Sequence, residues 1–194
     1  ETVFYPIGIS DVLEIEPSET CTDYSFSASG IPLSGDPEEN LIVKAYRLLR
    51  SQYQFPAIDI SLCKQIPYGA GLGGGSADAA FMLKGLNELF ELKITKRKLE
   101  SLAAKLGADC PVFIKNKPVF ATGIGNVFTP IKFSLRGYFL VLIKPDIHVS
   151  TPVAYSLVVP QKPEISLLEI IQKPLSEWKT YMKNDFEQSV FAKH

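Results

Sequence analysis

A mixed α/β fold is predicted, and three observations carry that prediction. Ala57-Ile58-Asp59-Ile60-Ser61-Leu62-Cys63 alternates apolar and polar residues, the period of a strand with one wet face. Five glycines in the seven positions from Gly69 to Gly75 run directly into small residues. Behind them, Ala79, Met82, Leu83, Leu86, Leu89 and Phe90 fall at helical spacing.

The elements follow in order from local signals, with strands first. Glu1 to Ile15 alternates around Pro6 and Gly8, and Cys21 to Ser29 reads as a second polar-faced strand with Tyr24 and Phe26 on one side. Gly35-Asp36-Pro37-Glu38-Glu39-Asn40 is a turn into a helix from Leu41 to about Tyr53, with Asn40 as last loop residue or cap. The glycine-rich loop opens a helix from Ser76 to Phe90. Thr95 caps a helix from Lys96 to Lys105 that Gly107 closes, and a hairpin from Val119 to Ile131 bends at Gly123-Ile124-Gly125-Asn126. Gly137 to Ile143 is continuously apolar and is predicted as a central strand. Val158 to Pro163 reads as a linker, and helical segments from Leu167 to Val190 begin a second domain.

Composition excludes several functions without selecting one. A chain of 194 residues that is 46% hydrophobic can bury a real core, as one large domain or one domain and part of another. A formal charge of −1 leaves no basic excess for nucleic acid, so an anionic ligand must be held by local donors. Cys21, Cys63 and Cys110 are widely spaced and lack C-x-x-C pairing, which suits reduced thiols in a cytosol rather than disulfides or zinc. The sequence has no run of about 18 apolar residues and no visible signal peptide, so no membrane partner is expected. With two histidines, no metal cluster is expected either.

The loop is the feature that carries chemistry. Glycine reaches backbone conformations closed to other residues, and a helix's first turn offers unpaired N–H donors and positive dipole, so the expected ligand is a nucleotide phosphate. Three common phosphate loops fit poorly. Gly69-x-Gly71-x-x-Gly74 has the dinucleotide spacing, but it follows an alternating strand and no acidic strand end answers it about 20 residues on. Gly75 stands where a Walker A loop needs its Lys, and a protein-kinase loop is a hairpin, not a helix start.

What remains resembles the GHMP kinase family. Pro67-Tyr68-Gly69-Ala70-Gly71-Leu72-Gly73-Gly74-Gly75-Ser76-Ala77-Asp78-Ala79-Ala80 is similar to that family's P-x-x-x-G-L-G-G-G-S-S-N-A-A loop. Four more segments resemble the branch of the family that phosphorylates a cytidyl-diphosphate-bearing alcohol: 40–45, 106–113, 151–155 and 184–187. The resemblance covers essentially the whole chain. It implies a fold like domain 2 of ribosomal protein S5 from residue 1 to about 158, then part of a ferredoxin-like domain from 159 to 194. It also implies that the chain is a fragment: the family's P-A-K-I-N-L strand, with an active-site Lys, and its G-Y-H turn would precede Glu1, and a third Gly/Ser-rich motif would follow His194.

The same resemblance implies ATP and Mg²⁺ as cofactors, a small-molecule substrate, a bacterial cytoplasmic setting rather than a plastid one, and a monomer or homodimer. Pro67 to Ala77 would cradle the phosphates, with Asn40 and Lys64 near the adenosine. Read from residue type alone, Lys64 after a strand is solvated surface. Ser76 is placed at or near the helix cap, where its hydroxyl would serve a phosphate oxygen, the metal shell or simply the cap. Asp109 is the expected catalytic carboxylate, orienting or accepting the substrate hydroxyl's proton; from sequence pattern alone, Asp before Cys110-Pro111 is equally a helix cap. Thr151 and Tyr155 are the substrate candidates, Tyr155 offering a flat ring to cytosine or else lying at the core edge. Asp146 and His148 are given no role. Another GHMP kinase of homoserine or mevalonate type, or a non-catalytic nucleotide-binding module, stays open at this point.

Overall fold

The computed structural model describes residues 1–145, 147, 149, 151–156, 158, 159 and 161–190, without the side chains of 151, 152 and 188–190. The principal sheet has the order β2-β4-β3, with β2 at Val12–Pro17, β3 at Tyr24–Gly30 and β4 at Ile58–Lys64. β4 is central, antiparallel to β2 and parallel to β3. A parallel neighbour requires a crossover, and α1 (Leu41–Arg50) supplies it. The alternation in β4 sends Ile58, Ile60, Leu62 and Lys64 to the buried face.

Helices cover that face. Asn40 caps α1, its side-chain oxygen accepting from the Ile42 N–H at 2.9 Å. α2 runs Gly74–Leu89, α3 Lys96–Ala103 and α4 Cys110–Lys115, and Thr95 caps α3 as expected. Ile42, Tyr46 and Leu49 of α1 meet Met82, Leu83 and Leu86 of α2 over β4, with Leu102 and Cys110 closing the core. Each such large side chain contributes roughly 1.5–3 kcal/mol by leaving water. Among the described residues this is where the tightest packing lies, and it fixes the loop between β4 and α2 at both ends.

A second antiparallel sheet has the order β1-β5-β6, from Thr2–Phe4, Val119–Thr122 and Val127–Pro130. The expected hairpin is present, with Thr122 opposite Val127 across the turn. The single strand expected from Glu1 to Ile15 is instead two strands in two sheets. Pro6 cannot donate to a ladder, and the chain between β1 and β2 crosses from one sheet to the other.

Other differences are also physical. α2 begins at Gly74, two residues before Ser76, because Gly73 takes the cap position in a left-handed conformation (φ 69°). α1 ends at Arg50 and α3 at Ala103, each finished by a short turn. The central strand expected over 137–143 is absent. Gly137 (φ 93°) turns the chain, the Tyr138 N–H donating back to the Leu135 carbonyl, and none of the described strands pairs with the residues that follow.

Beyond it come α5 (Thr151–Ser156), α6 (Leu167–Ile170), α7 (Leu175–Tyr181) and α8 (Asp185–Val190). The Ser166 hydroxyl and Leu167 N–H both donate to the Glu1 carboxylate, and Trp178 packs on Phe133 at 5.4 Å between ring centroids.

Candidate active site

A cleft of about 860 Å³ opens between the chain around β1 and β2, the glycine-rich loop, one face of α2 and the start of α4. Gly71, Leu72, Gly73 and Gly74 form its loop wall, and Asp109 lines the same cleft. Gly69, Gly71 and Gly73 all have φ near 70°, a left-handed backbone that a side chain would strain. The cap of α2 makes no side-chain bond. The first N–H groups of α2 have no intrahelical acceptor, so they remain available to an anion.

Crowding around two glycines is internal. A Cβ at Gly73 would come within 3.0 Å of the Phe113 ring, and one at Gly74 within 2.9 Å of Ile66 and 3.1 Å of the Lys64 ammonium. The protein's own side chains therefore require glycine there, quite apart from any ligand. Pro67, Tyr68, Gly69, Ala70, Gly75 and Ser76 are not in the cleft wall, and the Tyr68 ring is solvent-exposed. Ala77 is in the wall. Ser76 stands in the first turn of α2, near the cap position that Gly73 occupies.

Asp109 occupies the cap position of α4 but makes no capping bond, in helical backbone (φ −84°, ψ −20°). Its carboxylate reaches solvent through the cleft, while surrounding protein raises its pKa above the ordinary carboxylate range by burial. A cleft carboxylate with a raised proton affinity is suited to taking or orienting a hydroxyl proton.

Lys64 is not solvated surface. Its side chain is 2% exposed and its ammonium donates to Asp78 at 2.9 Å and to Asp11. Burial pulls its pKa down, but the two carboxylates outweigh that and hold the ammonium charged. Sequence reasoning missed Asp11 and Asp78. Alternation along β4 was the available signal: it puts Lys64 on the same face as Ile58, Ile60 and Leu62, and a buried ammonium demands a counter-charge. Nothing local pointed to Asp11, 53 residues from its partner.

Of the substrate candidates, Tyr155 does not line the cleft. Tyr155 is 65% exposed and packs edge-on against Phe186, ring centroids 5.1 Å apart. The Thr151 side chain, Asp146 and His148 lie outside the described residues. Asn40 does not line the cleft, although its neighbour Leu41 faces Gly75. Among the described residues no group of three His, Cys, Asp or Glu side chains could hold a metal ion, and no helix is long and apolar enough to cross a membrane.

A glycine-rich loop that runs into α2 shares this cleft with the Asp109 carboxylate on an α/β frame, the arrangement of a small-molecule kinase of the GHMP type. The family model "GHMP kinases N terminal domain" matches residues 40–117, and the chain belongs to the GHMP kinase family. It is 58% identical over its whole length to a 4-diphosphocytidyl-2-C-methyl-D-erythritol kinase of Bacteroides fragilis, spanning 71% of that protein. It is 47% identical to the protein of the same name from Porphyromonas gingivalis, again spanning 71%. A crystal structure of 4-(cytidine 5'-diphospho)-2C-methyl-D-erythritol kinase superimposes with TM-score 0.75 at 28% identity, over 98% of this chain and 67% of that one. Homoserine kinase from Cytophaga hutchinsonii superimposes with TM-score 0.61 at 19% identity, over 84% of this chain and 54% of that one, a likeness of fold alone.

Proposed function

We propose that this chain carries the ATP-binding part of an enzyme that phosphorylates the 2-hydroxyl of 4-diphosphocytidyl-2-C-methyl-D-erythritol in the non-mevalonate route to isoprenoid precursors. The observation that carries the reading is the cleft itself, whose wall holds left-handed Gly71 and Gly73, the start of α2 and Asp109 together. Likeness over the whole of this chain, and 71% of each relative, to kinases of that name selects the substrate.

Phosphoryl transfer is mostly positioning and charge neutralisation. The backbone N–H groups at the start of α2 hold the triphosphate. Asp109 takes or orients the proton of the attacking hydroxyl, and burial brings its proton affinity toward that task. Mg²⁺ carried with the nucleotide would neutralise charge on the transferring group and would be held mainly through the phosphates. Tyr155, an exposed ring outside the cleft wall, is the candidate to stack on cytosine. We assign residues 1–158 to the ATP-binding domain and 159–194 to the beginning of the next, a division supported by the absence of helix or strand in the described residues between α5 and α6. The bacterial relatives and three unpaired cysteines support a cytoplasmic enzyme.

An ADP-release assay on the full-length protein, with the cytidyl alcohol against homoserine and mevalonate, tests the reading. Turnover with the cytidyl alcohol alone is expected, and preference for either competitor would overturn the substrate assignment. In the same assay Asp109→Asn should lower kcat by about 10²-fold or more with both KM values little changed. Near-normal turnover would leave Asp109 a structural residue at the start of α4.

A further inference from the structure

The glycine-rich loop is held by its two ends, and the residues at those ends are joined by charge. Lys64 is the last residue of β4, immediately before the loop, and Asp78 is in the second turn of α2, after it. Their side chains meet at 2.9 Å with 2% and 9% of their surface exposed. Asp11, 3% exposed, completes the cluster. One of its oxygens accepts from the Lys64 ammonium, and the other accepts the N–H groups of Gln65 and Ile66 at 2.6 and 2.8 Å. The cluster thus grips the first residues of the loop by their backbone and the helix after it by Asp78. Between those grips the loop is mostly glycine and has few side chains with which to fix its own shape.

The ammonium also lies 3.1 Å from where a Gly74 Cβ would be, beneath the first residue of α2. Fixed there, with its charge answered by Asp11 and Asp78, the ammonium is a strut under the first residue of α2. Where the resembled family motif has Asn, this chain has Asp78.

We propose that Asp78 is a positioning residue for nucleotide binding: with Asp11 it clasps Lys64 across the base of the phosphate loop, setting the loop's width and holding the ammonium beneath the start of α2. The inference rests on the phosphate-loop reading and deepens it. A side chain that sets the cradle's shape acts on ATP and leaves the alcohol untouched, whereas a side chain that merely packs acts on both through stability.

The test compares Asp78→Ala with Asp78→Asn in the full-length enzyme, reading ATP Kd by calorimetry, the KM of the alcohol substrate and Tm. Asp78→Ala should weaken ATP about tenfold or more, because the buried ammonium loses a partner, with the alcohol KM unchanged. Asp78→Asn keeps an oxygen that can accept from Lys64, and should stay within about threefold of the parent. If Asp78→Ala does not fold, Asp78→Ser, one bond shorter and so lengthening the contact, should show the same selective loss. An ATP Kd unchanged in the Ala or Ser variant, or a joint loss of both affinities in step with Tm, would overturn the inference while leaving the phosphate-loop reading intact. Failure of the parent enzyme to bind ATP would remove both.

Discussion

Ile58–Lys64 and the stretch from Tyr138 to Ile143 both invite a strand assignment, and the less apolar of the two is the real strand. β4 has polar Asp59 and Ser61 among its apolar residues, yet Ile58, Ile60 and Leu62 are at most 2% exposed, and it has partners on both edges. The later stretch is apolar throughout, and Phe139, Val141 and Ile143 are each at least 80% exposed. A strand is a relation between chain segments: its N–H and C=O groups need a ladder and its side chains need a facing layer. β4 has both within residues 12–102, and 138–143 pairs with none of the described strands. Continuous apolarity predicts a place to be covered, and only alternation, matched to one buried face, specified the cover as well.

The sharpest way to break this contrast is to truncate one side chain in each stretch. Ile60→Ala leaves a cavity between β4 and the helices and should cost about 2–5 kcal/mol in urea unfolding. Val141→Ala removes a side chain already in water and should stay within about 0.5 kcal/mol. A comparable loss at Val141 would mean that the stretch is packed in solution.

Local chemistry made much of the packed half legible. Asn40 and Thr95 announced helix starts through their capping oxygens, the four residues Gly123 to Asn126 announced the hairpin, and the alternation of β4 gave its buried face. What could not be read was set by distant partners. The parallel pairing of β3 with β4 and the separation of β1 from β2 depend on tertiary contacts that no window contains. At the site, the loop carried a local signature, whereas the burial of Lys64 was not legible because its partners Asp11 and Asp78 come from two other segments.

The buried cluster beside β4 has a pH dependence that the exposed stretch lacks. Burial pushes the Asp78 carboxyl up to about 6, against the pull of Lys64. A carboxyl whose proton is held more tightly in the folded state contributes stability below its unfolded value near 4, and that contribution is lost as pH rises through about 6. Asp11 runs the other way. Burial raises it, but the Ile66 N–H, Lys64 and the Gln65 N–H outweigh that and lower it, so its contribution is present at higher pH and is lost only in stronger acid. Asp78→Asn should therefore gain on the parent between pH 4 and 6, by at most about 2–3 kcal/mol, and the difference should level off above that window. Unfolding free energies measured across pH 4 to 8 check it, and a pH-independent difference would place the excess charge elsewhere in the cluster.

Tyr155 tests the less-packed side of the molecule, and there the expected effect is smallest. Its ring is exposed on a six-residue helix, with Phe186 of α8 against its edge, and it does not reach the cleft. If the ring stacks on cytosine, Tyr155→Ala should raise the KM of the cytidyl alcohol by an amount worth about 1–3 kcal/mol, the range for a base on an aromatic face, and leave the ATP KM where it was. Tyr155→Phe should be nearly silent, because the ring and not the hydroxyl makes the contact. The Phe186 contact supplies the competing account, in which Tyr155 only fastens α5 to α8. Under that account Tyr155→Ala lowers Tm and shifts both KM values together, or changes neither, and base recognition would have to come from residues other than Tyr155.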